Sequence, residues 1–188
     1  MSGAILGADG RRRCPWAAST PDYVAYHDEE WGRPLSTNNA MFERMTLEGF
    51  QSGLSWLIIL RKRPAFRRAF ANFSIAKVAA FGPADVDRLL ADAGIVRNRA
   101  KIEATINNAQ VARSIPGGLL RLVQGFARVD EPQVPTEIGQ VRSVSPESVA
   151  LSKELKRRGM RFVGPTTMYA LMQATGLVND HLADCWVR

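Results

Sequence analysis

Apolar residues recur at helical spacing along most of this chain, and the gaps between periodic stretches hold residues that start and stop helices. Residues 36–39 read Ser-Thr-Asn-Asn, a choice of N-caps, and residues 41–60 follow with apolar positions on one face. Gly53 predicts a break inside that stretch. Pro64 suits the first turn of a short helix over 64–71, and Ser74 caps another over 75–80 that Gly82-Pro83 ends. Residues 85–93 read as an amphipathic helix stopped by Gly94, and residues 97–115 as a long one ended by Pro116-Gly117-Gly118. Residues 119–128 look helical, and residues 129–145, with Pro132 and Pro135, read as a loop. Ser145-Pro146 opens a helix to residue 158 that Gly159 ends; Pro165 opens the next and Gly176 ends it. Asn179 or Asp180 caps a final short helix. No stretch alternates with the period of a strand, so the expected class is all-α, a compact helical bundle with no clean linker.

Composition narrows the function classes. The 188 residues are 46% hydrophobic and 23% charged, an ordinary globular balance rather than that of a disordered chain. No stretch has the roughly 18 apolar residues that a membrane helix needs, so no membrane association is expected. Arg11-Arg12-Arg13 follows a small-residue stretch, the reverse of signal-peptide order, which points to the cytoplasm and reduced thiols. The net charge is +7, and arginine supplies 20 of the 25 basic residues. Residues 61–110 carry ten basic against four acidic residues, and residues 153–161 five against one. Such patches suit a polyanion, nucleic acid first, although a solvated surface would also explain them.

The chain has two cysteines and two histidines, Cys14 with His27 and His181 with Cys185. The second pair has i, i+4 spacing, which on a helix sets imidazole beside thiolate. Two Cys and two His make the closed tetrahedral set of a structural zinc site. The expectation is one structural Zn²⁺ per chain, clipping the N-terminal segment to the C-terminal one.

Trp16, Tyr23, Tyr26 and Trp31 crowd around His27, and Trp56 follows. Their flat faces could line a pocket or only a small core. Glu48 falls on the apolar stripe with Met41 and Met45, where a lone carboxylate is costly without a cation or donors. A carboxylate among aromatic faces suits a planar cationic ligand. Arg161-Phe162-Val163-Gly164-Pro165-Thr166-Thr167 follows a helix bearing Lys153, Lys156, Arg157 and Arg158. A glycine opening the second helix beside that cluster reads as a phosphate-holding hairpin; a plain αα-hairpin is the simpler alternative.

Cys14-Pro15-Trp16, Tyr26-His27-Asp28-Glu29-Glu30-Trp31-Gly32, Leu47-Glu48-Gly49 and Gly53-Leu54-Ser55-Trp56 strongly resemble the 3-methyladenine DNA glycosylase I family. So do Asp92-Ala93-Gly94-Ile95, Ala150-Leu151-Ser152-Lys153, Phe162-Val163-Gly164 and Gly176-Leu177-Val178-Asn179-Asp180-His181. The resemblance spans about residues 12–186. It implies a single domain over 13–188 with a disordered extension over 1–12. It implies a helix-hairpin-helix enzyme of base-excision repair, a monofunctional N-glycosyl hydrolase that flips and excises 3-methyladenine from alkylated double-stranded DNA, acting as a monomer. By motif position the zinc ligands fall on Cys14, His27, His181 and Cys185. The base-recognition carboxylate falls on Glu48, with Tyr26 and Trp56 in the pocket and Tyr23, Trp16 and Trp31 nearby. The wedge into the DNA gap falls on Gly53 and Leu54. Backbone phosphate falls to Gly164, Thr166 and Thr167, with the neighbouring Lys153 and Arg157. The superfamily's usual Asp is replaced by Asn179, and Asp180 is expected to be a helix cap. A non-catalytic, zinc-stabilised DNA-binding module is the rival reading. A zinc hydrolase is disfavoured because four protein ligands leave no open position for water.

Overall fold

The computed structural model describes residues 3–127 and 133–188. Among these residues the chain forms a short ribbon and nine α-helices. The ribbon pairs β1 (Ile5–Leu6) antiparallel to β2 (Arg12–Arg13). The helices are α1 (Pro21–Glu29), α2 (Asn38–Gln51), α3 (Trp56–Ala69), α4 (Ile75–Val78) and α5 (Pro83–Ala91). They continue with α6 (Arg99–Arg113), α7 (Gly118–Gln124), α8 (Pro146–Arg157) and α9 (Pro165–Ala174).

Helix α2 is the axis of the core, in contact with α3, α6, α7 and α9. Thr37 starts it, its side chain accepting from the Ala40 N–H at 3.1 Å. Met41, Phe42, Met45, Leu47 and Phe50 are then almost wholly buried. Each such side chain contributes roughly 1.5–3 kcal/mol on leaving water. Phe66 of α3, Ile102 of α6, Leu119 of α7, Leu155 of α8 and Leu171 of α9 close around it. Because α2 is covered on nearly all sides, a polar residue on it is forced indoors. That is how Arg44 and Glu48 come to be buried.

The chain departs from the sequence expectations at four places. The N-terminal segment carries a ribbon where no strand was expected, and side-chain contacts flank it. Arg13 forks onto Asp9 and Asp28, and the Ala4 N–H donates to Asp184. Helix α1 was not anticipated, although Thr20-Pro21-Asp22 is a cap, a first-turn proline and a first-turn acid. Pro64 lies inside α3 rather than opening a helix over 64–71. It sits on the exposed face, while Ile59, Leu60 and Phe66 pack the other face and carry the helix through. The break predicted at Gly53 is present: residues 52–55 separate α2 from α3, and Gly53 has φ +82°. No helix follows α9 among the described residues, so His181 and Cys185 lie in an irregular segment. Asp180 caps nothing; Asn179 instead accepts the His181 N–H at 3.2 Å. Residues 128–132, part of the helix expected over 119–128 and of the loop expected over 129–145, lie outside the described residues. No helix here is long and apolar enough to cross a membrane.

Candidate functional site

Two structures share a wall. The first is the Cys/His cluster. Cys14 precedes a 3-10 turn over Pro15–Ser19, His27 ends α1, and His181 and Cys185 lie beyond α9. Their four ligand atoms lie within 4.8 Å of one another, and all four residues are buried. Cys185 Sγ is 3.4 Å from His27 Nε2 and 3.6 Å from His181 Nδ1, and Cys14 Sγ is 3.9 Å from His181 Nδ1. Asp28 holds His27 Nδ1 at 2.8 Å, which turns Nε2 toward the cluster. The hydrogen bond from Cys14 pulls the Cys185 thiol well below its ordinary pKa against the effect of burial, with His181 and His27 assisting. The cluster could hold a metal ion.

Backbone contact brings its two halves together. The Gly32 N–H donates to Ala174 O at 3.3 Å, at the C-terminal end of α9. Gly176, with φ +72°, packs so closely that a Cβ there would stand 2.5 Å from Gly32 O. Only glycine allows this approach, and it sets the α1 side of the cluster against the segment carrying His181.

The second structure is a pocket of about 320 Å³. That is near the lower end of ligand pockets, roughly 300–1,000 Å³, and suits a single planar heterocycle. Trp16, Tyr23, Tyr26, Trp31, Glu48 and Trp56, the residues singled out from sequence, all line it. Trp16 is the hinge of the aromatic wall, 5.0 Å from Trp31 and 5.7 Å from Tyr23 between ring centroids, both edge-on. It also meets the His27 ring at 5.3 Å, and Trp31 meets His181 at 4.6 Å. The pocket wall is therefore the outer layer of the cluster. Tyr26 joins Trp16 at 6.3 Å and tilts against Trp56 at 5.5 Å.

Glu48 is 5% exposed. No hydrogen bond to its carboxylate occurs among the described residues, and the Trp56 indole N–H is likewise buried without a partner. Burial pushes the Glu48 carboxyl up to about 7, although the Arg44 charge opposes the rise. An acceptor and a donor thus stand unused at a pocket lined with aromatic faces.

Sequence reasoning missed the support for this site. Arg44, one turn before Glu48, donates to the Tyr26 hydroxyl at 2.6 Å. Its guanidinium is 3.5 Å from Glu30, which the Arg63 fork clamps at 2.5 and 2.7 Å. Burial alone would raise Glu30, but Arg63 and Arg44 bring it below the ordinary carboxylate range. Arginine only donates, so the Tyr26 hydroxyl accepts from it and keeps its own proton for another partner. The signal was an opposite-charge i, i+4 pair on an apolar stripe. Gln51, Ile138, Val141, Ala170 and Gln173 complete the lining and carried no signal. The Gln173 amide N–H₂ donates to the buried Asp180 at 2.8 Å, as does the Tyr169 hydroxyl.

The residues singled out for DNA lie elsewhere on the same elements. Gly53 and Leu54 form the turn after α2, and Leu54 is 36% exposed beside pocket-lining Gln51. Helices α8 and α9 pack together across residues 158–164. Gly164 is the N-cap of α9, with Thr166 exposed and Thr167 half-buried in its first turn. Lys153 and Arg157 are exposed on α8, where Arg157 is engaged by Glu154 at 2.8 Å. Helix α9 thus runs from the hairpin at its N-terminus to the pocket at Ala170 and Gln173.

The chain has close relatives. It is 44% identical over 178 residues to DNA-3-methyladenine glycosylase 1 of Escherichia coli strain K12, covering 92% of this chain and 95% of that protein. It is 40% identical over 179 residues to the DNA-3-methyladenine glycosylase of Haemophilus influenzae, covering 92% and 96%. A crystal structure of a variant of 3-methyladenine DNA glycosylase I in complex with 3-methyladenine superposes with a TM-score of 0.87 at 34% identity, over 93% of this chain and 96% of that one. Residues 16–188 match the family model described as methyladenine glycosylase, and the chain belongs to that family.

Proposed function

We propose that this protein excises 3-methyladenine from alkylated duplex DNA, with Glu48 selecting the cationic base among the aromatic faces of the pocket. The buried carboxylate without a hydrogen-bond partner, in a pocket that Tyr26 and Trp56 also line, carries the reading. A base flipped out of the helix enters the pocket and stacks on the aromatic rings; a damaged, poorly paired base costs least to extrude. Glu48 then meets the positive charge and N–H donors of the methylated ring. That cation favours the ionised carboxylate, so binding releases the proton that Glu48 retains when the pocket is empty. Neutral adenine offers no such charge. The methylated base leaves as a neutral molecule when its bond to the sugar breaks, and water takes its place at the sugar carbon, giving up a proton to solvent. The base is therefore already a good leaving group, and the site requires little acid catalysis.

The Cys/His cluster fits a structural zinc ion. Zn–S of about 2.3 Å and Zn–N of about 2.0–2.1 Å at a tetrahedral centre place sulfur and nitrogen about 3.6 Å apart. Three of the four sulfur–nitrogen separations here are 3.4, 3.6 and 3.9 Å, and all four ligand atoms lie within 4.8 Å of one another. Cys14, His27, His181 and Cys185 would hold the ion, which would brace Trp16 and Trp31 from behind without joining the chemistry. In this reading residues 13–188 act as one domain. Leu54 on the Gly53 turn fills the gap left by the flipped base. The helix-hairpin-helix element of α8 and α9 holds backbone phosphate through Gly164, Thr166, Thr167, Lys153 and Arg157, the last exchanging Glu154 for DNA.

The test is base release from methylated duplex DNA, separated chromatographically, for wild type and Glu48→Gln in parallel. The expected result is free 3-methyladenine from wild type and much less from the variant. A wild type that binds DNA and zinc but frees no base would leave only the non-catalytic binding module.

A further inference from the structure

We propose that α6 is a strut that locks the rim of the base pocket to the DNA-holding hairpin, with Lys101 and Asn108 as its positioning residues. The proposal rests on the glycosylase reading for what the strut serves, and on the following contacts for its existence. Lys101 is buried, yet no carboxylate is paired with it among the described residues. Its ammonium donates to Phe50 O at 2.8 Å and Ser52 O at 2.6 Å. These carbonyls end α2 and lack helical partners, so one cation satisfies both and fixes the direction in which the chain leaves the helix. Gln51 lies between them, lines the pocket, and donates to Leu54 O at 3.1 Å. The rim from Phe50 to Leu54 is thus pinned from α6.

Two turns further along the same face of α6, Asn108 clamps the hairpin backbone. Its amide N–H₂ donates to Arg161 O at 2.8 Å, and its amide oxygen accepts the Arg161 N–H at 2.8 Å. Asn107 adds a bond to Gly159 O at 2.8 Å. The clamp closes immediately before Phe162, an exposed residue held at φ +56°. Such a conformation persists in a bulky residue only where its surroundings enforce it. Phe162 in turn lies over Gly49 of α2, where a Cβ would stand 3.5 Å from Phe162 Cβ and O. The Lys101 ammonium is 5.9 Å from the Phe162 ring centroid. Rim, strut and hairpin form a closed triangle.

A rigid triangle suits a protein that must strain DNA. Extruding a base costs a few kcal/mol, and the force has to pass between the part that grips phosphate and the part that fills the gap. If the rim yields relative to the hairpin, the base pocket still binds free base but the nucleotide is no longer driven into it.

The experiment compares wild type, Lys101→Met, Asn108→Ala and the double variant. Two quantities are read: affinity for free 3-methyladenine, by quenching of tryptophan fluorescence, and the single-turnover rate of excision from methylated duplex. Each single variant is expected to bind free base as wild type does, within about twofold, and to excise about tenfold more slowly. Because either cut opens the same triangle, the double variant should match the slower single one rather than multiply the two losses. Lys101→Arg, which keeps the donors and charge, should recover most of the rate. Multiplied losses in the double variant, or free-base affinity falling along with the rate, would overturn the strut while leaving the glycosylase reading intact. A wild type that excises nothing fails that reading and removes the strut's purpose with it.

Discussion

Replacing Glu48 by Gln should make the protein more stable at alkaline pH while abolishing its use of the pocket. The carboxyl is almost wholly buried and has no hydrogen-bond partner among the described residues, so its charge is held at a cost that Arg44 offsets only in part. Burial raises it from an ordinary 4.5 to about 7, with Arg44 opposing. Between those two values the native chain keeps a proton that the unfolded chain has lost, so stability falls as pH rises through that window. Above pH 7 the accumulated penalty is about 3 kcal/mol, from a rise of about 2.5 units at 1.36 kcal/mol each. Glutamine matches the shape of the neutral acid and never ionises. The variant should therefore equal wild type near pH 4.5 and exceed it by up to about 3 kcal/mol at pH 8. Urea denaturation of both proteins at half-unit intervals from pH 4.5 to 9 measures the difference directly. A stability difference independent of pH would refute the argument, as would a wild type more stable than the variant at pH 8. Either outcome would mean that Glu48 already has a partner in the free protein.

Three further outcomes follow from the same geometry. Arg44→Met removes the charge that opposes the burial of Glu48, so the acid limb of the excision pH profile should move up by about one unit. That lowers the rate about fivefold at pH 7 and hardly at all at pH 9; a loss of equal size at both would assign Arg44 a packing role alone. The isolated protein should carry one zinc ion, lost with a fall in melting temperature on chelation, and Asp28→Asn should weaken retention about 10–100-fold by releasing His27 Nδ1. Metal analysis that finds equal retention in the variant would show that Asp28 does not orient the ligand. Gly176→Ala introduces a Cβ into Gly32 O at a positive φ and should cost roughly 2–4 kcal/mol. A change below about 0.5 kcal/mol in denaturant titration would mean that the two backbones can part cheaply.

Local signals were readable in the chain because they act over one helical turn. Thr37, Ser145 and Pro165 mark helix starts since a cap or a fixed φ needs only its own neighbours. Glu48 stood out because an acid on an apolar stripe is anomalous wherever that stripe is buried. The two Cys and two His could be grouped because the chain contains no others. Packing between distant segments decided the rest. Pro64 reads locally as a helix start, yet the apolar face on either side of it carries α3 through. His181 and Cys185 have helical spacing but lie in an irregular segment, where residues from both ends of the chain fix their positions instead. Ile138, Val141, Ala170 and Gln173 are ordinary in composition and become a pocket wall only when a loop and α9 close over α1 and α2. Periodicity and capping set where helices begin, because those energies are local. Which side chains face one another across a cavity is set by tertiary packing, whose contacts join residues far apart in the chain.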